Sequence, residues 1–212
     1  MTVPVAVVPS APLLVPGLGG GQDPLAGLRV TCLDVVRSVV KDATRVVVLA
    51  SEGHDRDESA GGTLASWGVD VRAGGDALGL PLGHTVGAWL LDAAGWTGAR
   101  TYTSATPALE DGVALLVVAD GTATRDTTSP GYEDVRAVPF DHGLAEALAS
   151  GDAARLATLD LDEAAELWCH GAPALCALGR ATSGHEVEGE LVAYEAPFGV
   201  GYLVARWSVS TS

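Results

Sequence analysis

Three almost unbroken apolar runs punctuate the chain: VPVAVV at 3–8, RVVVLA at 45–50 and GVALLVVAD at 112–120. Each has strand length and many β-branched residues, and none alternates with polar positions. Such runs predict strands buried on both faces. Between them the period changes. LAGLRVTCLDVVRSVV at 25–40 places its apolar residues three or four apart, and HTVGAWLLDAAG at 84–95 does the same and stops at Gly95. Both stretches predict helices. SEGHDRDESAGG at 51–62 reads as a polar loop leaving the second strand, and Val69-Asp70-Val71 as a short further strand.

The second half is less regular. After the strand at 112–120 comes a long polar loop, GTATRDTTSPGYEDVRAV. Asp141 is expected to cap a helix over 142–149 with Phe140, Leu144 and Leu148 on one face. Short helices are expected near 152–157 and 161–171, with another beyond Pro173. ELVAYEA at 190–196 and VGYLVARW at 200–207 predict a closing hairpin joined by a Pro-Phe-Gly turn. Buried strands alternating with helices predict one α/β domain over 1–212, with a mostly parallel or mixed central sheet covered on both faces. Ligands of such sheets sit beyond the carboxyl ends of the strands. Three polar loops leave those ends: PSAP, SEGHD and DGTATR.

Composition narrows the function classes. The formal net charge is -15, and Lys41 is the single lysine among twelve basic residues. That surface repels phosphate backbones and anionic lipid, so neither nucleic acid nor membrane is an expected partner. No apolar run reaches membrane-spanning length. The N-terminal stretch lacks a basic leader and is interrupted by Pro4, Pro9, Pro12 and Pro16, so a cytoplasmic location is expected. Cys32, Cys169 and Cys176 form no CxxC motif and are expected to be buried free thiols.

Several motifs carry candidate chemistry. Gly17, Gly19, Gly20 and Gly21 follow a strand, but Gln22 breaks a dinucleotide fingerprint, and Lys41 lacks the glycine-rich loop of a phosphate-binding lysine. LASEG at 49–53 puts Ser51 directly after a strand, as half of a nucleophile elbow, with Leu49 where the first glycine belongs. His54 stands at a strand end beside Glu52, Asp55, Asp57 and Glu58, and imidazole with carboxylate can hold a divalent metal. His84 and His142 at helix starts, and His170 after Cys169 in a helix, are assigned packing or surface roles. Trp89 and Trp168 are expected in the core, and Trp67 or Trp96 at an interface.

Taken together, VPSAPLLVP at 8–16, ADGTATR at 119–125, the helical segment at 130–167 and YEAPFGVGYLVARW at 194–207 resemble the class III extradiol ring-cleavage dioxygenase superfamily, the LigB-like and Memo-like group. The resemblance spans nearly the whole chain and implies a LigB-like fold. It also implies Fe(II) held by two histidines and a glutamate, with a further histidine as acid and base. On this chain Ser10 occupies the first histidine position and His54 matches the second. Arg125 occupies the acid–base position, and Glu195 or Glu190 matches the carboxylate. A hydroxyl is a poor Fe(II) ligand, and arginine stays protonated near neutral pH. The expectation is therefore a LigB-like homologue with a degenerate iron site. Its alternative is a non-metal protein binding a small carboxylate through Arg125, or an assembly protein. The expected partners are a small aromatic or carboxylate ligand and a second copy in a homodimer.

Overall fold

The computed structural model describes residues 2–19 and 21–211. Its central sheet is built from β1 (Thr2–Val8), β2 (Arg45–Ala50), β6 (Ala99–Thr103), β7 (Val113–Val118), β8 (Glu186–Glu195) and β9 (Tyr202–Ser210), in the order β6-β2-β7-β1-β9-β8. The pairs β6–β2, β2–β7 and β7–β1 are parallel; β1–β9 and β9–β8 are antiparallel. The α/β fold with a mixed, mostly parallel sheet is thus as expected. A small second sheet, β4 (Arg72–Gly74), β3 (Ala60–Thr63) and β5 (Ala77–Leu78), was not foreseen.

Strand residues point alternately to two cores. Ala6 and Val8 of β1 join a core covered by α1 (Ala26–Val40) and α2 (Leu82–Ala94). Val3, Val5 and Val7 face the other core, under α3 (Ala137–Ser150), α4 (Ala153–Ala157) and α6 (Ala172–Thr182); α5 (Leu161–Glu166) contributes Ala164. This two-sided burial is why the central strands read as continuous apolar runs. All three cysteines are buried and free. No helix among the described residues is long and apolar enough to cross a membrane.

Differences from the expected elements have local causes. Ala60, Gly61 and Gly62 sit in a segment that reads as loop, yet they form β3; the two glycines let it pack closely, since a Cβ on Gly61 would strike Gly75 backbone and one on Gly62 would strike Thr85. The expected strand at 69–71 is displaced to β4. β6 was missed: it is a sheet edge in which only Tyr102 is buried, so no apolar run marks it. α3 starts at Ala137 rather than 142, since Pro139 is tolerated in a first turn. Asp141 lies inside α3 and is buried, so it caps nothing. The helix expected over 161–171 ends at Glu166, leaving Trp168, Cys169 and His170 in an irregular connection.

One close approach fixes how α2 lies on the sheet. A Cβ on Gly87 would stand 2.6 Å from Val48 Cγ1 and 2.9 Å from Val118 Cγ2. Alanine gains about 1 kcal/mol over glycine in a helix, whereas overpacking costs about 1–3 kcal/mol. Both valines are fully enclosed or nearly so, which leaves them little room to retreat. Gly87→Ala is therefore expected to lower stability in urea unfolding, and Gly87→Val to lower it further. An unchanged or raised midpoint for Gly87→Ala would contradict this packing.

Candidate functional site

Parallel register brings three loops to one end of the sheet. Val8 and Ala50 both pair with Val118, so the carboxyl ends of β1, β2 and β7 are level. Ser10, Glu52 and Asp120 each lie two residues beyond those paired positions. The Pro9-Ser10-Ala11-Pro12 elbow then turns into a short 3-10 helix, Pro12–Leu14, and buries Leu14. This geometry presents Ser10 to Asp120. The Ser10 backbone N–H donates to Asp120 Oδ1 at 2.9 Å, and its hydroxyl donates to Oδ2.

Two cavities meet around this pair. The larger, about 590 Å³, is walled mainly by apolar and aromatic groups, including Leu13, Trp67, Trp168, Phe198 and Tyr202. The smaller, about 240 Å³, is more polar and is lined by Ser10, Ser51, Glu52 and Gly83. Pro12, Asp120 and His170 line both. A site with mostly apolar walls and a few convergent polar groups is the usual form of a small-molecule pocket.

Asp120 is the electrostatic centre. Burial raises its carboxyl to about 6; the hydrogen bonds from Ser10 and the nearby His170 oppose the rise, and the charge of Asp141 adds to it. Trp168 is the one non-glycine residue with positive φ among the described residues, at 55°. That conformation costs energy for a bulky side chain and is found where surrounding structure imposes it. It holds the indole, 42% exposed, at the cavity wall with the His170 ring 6.5 Å away. The expected burial of Trp168 in the core is therefore corrected.

The residues singled out from sequence are dispersed differently. Ser10 and Ser51 reach the smaller cavity together. Ser51 Oγ accepts from Ala174 N at 3.3 Å, so it caps the first turn of α6, and no histidine bonds to it among the described residues. That leaves the nucleophile reading without its base. His54 is exposed and lines neither cavity. Arg125 also lies outside both. Its Nη1 is 2.5 Å from Asp141 Oδ2 and 2.5 Å from Tyr194 Oη, with the guanidinium over the Tyr194 ring. Glu195 is exposed on β8, and Glu190 pairs with Arg206.

The Fe(II) set implied by resemblance does not fit this arrangement. Ser10 spends its hydroxyl proton on Asp120, and Arg125 is held in an ion pair. Among the described residues no three His, Cys, Asp or Glu side chains gather as a metal-binding group. Among the cavity-lining residues, Asp120 and Tyr202 have no role in the sequence reading, and His170 and Trp168 are expected there only as packing, surface or core residues. Asp120 carried a signal, a lone carboxylate directly ending a buried strand. The others carried none, because their positions follow from where α5 ends and β9 begins.

The fold and site thus define an α/β protein with a cleft at the carboxyl edge of its parallel strands. No family model and no curated protein matches the chain.

The raised carboxyl of Asp120 has a stability consequence. Between the ordinary 3.8 and about 6, the folded chain holds a proton that the unfolded chain releases. Asp120's contribution to stability therefore falls as pH rises through that window, by at most about 3 kcal/mol. Asp120→Asn is expected to raise the melting temperature above pH 6 and to have little effect below 3.8. An equal shift at both ends would contradict a desolvated carboxylate.

Proposed function

We propose that this chain binds and converts a planar, uncharged, mostly apolar small molecule in the larger cavity, on a scaffold related to the extradiol dioxygenases but without their iron chemistry. The observation that carries this reading is the 590 Å³ aromatic-walled cavity whose ionisable lining is one carboxylate, Asp120, and one imidazole, His170, short of the two histidines and glutamate of an iron site. The half-exposed Trp67 and Trp168 offer faces for stacking, each worth about 0.5–1.5 kcal/mol to an aromatic ring. A small carboxylate is disfavoured as ligand, because Asp120 and Glu52 stand at the cavities while Arg125 is already neutralised by Asp141.

Tryptophan fluorescence titration tests the reading. 2-Naphthol is expected to bind more tightly than 2-naphthoate, and Trp168→Ala to weaken it by up to about tenfold. Chain purified without oxygen is expected to carry substoichiometric iron by elemental analysis. Preference for the naphthoate would refute the charge argument, and one tightly held iron per chain would refute the metal-free reading.

A further inference from the structure

The larger cavity contains a carboxylate and a phenol with complementary hydrogen-bonding capacity. Tyr202 opens β9, is 5% exposed and lines the cavity with Asp120. Its hydroxyl makes no hydrogen bond among the described residues. The oxygen is not among the buried unpartnered atoms and its residue lines the cavity, so this donor is open to whatever fills the cavity. Asp120 is held from the other side by the Ser10 N–H and hydroxyl, and its remaining lone pairs are free to accept.

The two groups are tied to one frame. Gly121 N donates to Gly201 O at 2.7 Å, and Gly201 N donates to Thr122 O at 2.9 Å. Asp120 and Tyr202 immediately flank this double link, so their separation is fixed by backbone rather than by a mobile loop. The apolar walls matter as well, since charge developing on a ligand there is stabilised by fixed dipoles instead of by water.

Resting on the ligand-binding reading above, we propose that this cavity catalyses proton transfer on planar, uncharged carbonyl compounds, with Asp120 as the base at the carbon beside the carbonyl and Tyr202 donating to the carbonyl oxygen. In the forward step the C–H bond breaks and its electron pair forms the C=C bond of an enolate. The carbonyl π pair moves to oxygen, where the Tyr202 hydroxyl hydrogen-bonds to it. The proton resides on Asp120 and returns to the same carbon, to the oxygen, or to a conjugated carbon. Nothing is oxidised or reduced, and no co-reactant is consumed. The reaction class is keto–enol or double-bond isomerisation.

The electrostatics agree with these roles. A carboxyl titrating at about 6 exchanges protons readily near neutrality. Burial first, and then the charge of Asp120, push the Tyr202 phenol up to about 12, so it stays a donor.

The test uses 2-indanone, a planar ketone with acidic CH₂ groups, in D₂O with the full chain. Loss of the CH₂ proton signal in NMR reads the exchange of hydrogen for deuterium. Wild type is expected to exceed the buffer rate. Asp120→Asn and Tyr202→Phe are each expected to lose about a hundredfold of that acceleration at saturating 2-indanone, with cooperative melting intact and 2-indanone still bound by tryptophan fluorescence, more weakly in Tyr202→Phe. Binding by wild type with exchange no faster than buffer would overturn proton transfer and leave the pocket reading standing. No binding by wild type would overturn both. Wild-type exchange in Tyr202→Phe would remove the phenol from the mechanism. Should either variant melt without cooperativity, Asp120→Ser or Tyr202→Leu replaces it, and the wild-type exchange rate decides the proposal independently of any variant.

Discussion

The buried carboxylate of Asp141 holds the site end of the molecule together. It is fully enclosed in α3 and accepts from Thr122 N at 2.8 Å, from Thr122 Oγ1 at 3.0 Å and from Arg125 at 2.5 Å. A buried charge without such partners would be strongly unfavourable. The contacts join the loop after β7 to α3, and through Arg125 and Tyr194 to β8. Gly121 and Gly201 lack side chains where a Cβ would fall 2.5 Å and 2.3 Å from this carboxylate. The same segment carries Asp120, so the ion pair and the two glycines set the position of the cleft floor. Arg125 therefore braces the cleft floor from behind, through Asp141 and Tyr194.

Much of the fold is legible because burial on two faces writes itself into sequence. β7 is apolar throughout, β1 and β2 are apolar after their first residue, and the period of α1 and α2 is clear. β6 and the small sheet are not legible, since an edge strand with one buried side chain and a strand made of glycines lack the usual marks. Asp141 illustrates a subtler failure. A lone aspartate next to an apolar helical pattern has the signature of a cap, and only tertiary contact reveals that it points inward to Thr122 and Arg125. The site was half legible. The elbow at Ser10 and the loop at 119–125 were correctly expected at the carboxyl edge. The partner joining them is Asp120, while Arg125 faces Asp141.

The cleft is maintained at a cost. A carboxylate is kept partly away from water and a tryptophan is held at positive φ. Each is unfavourable by itself. Both line the same cavity, and such departures from local preference concentrate around function.

Strand β8 closes one margin of the sheet, and its outer neighbour is solvent. Glu186, Glu188 and Glu190 recur at every second position there and are all exposed, so they project from the same side of the ribbon. Among the described residues, Glu190 alone of the three is offset by an arginine, Arg206. A second copy approaching margin to margin would set like charges within about 5 Å of one another. The acidic fringe therefore discourages filament-like stacking of sheets along this margin.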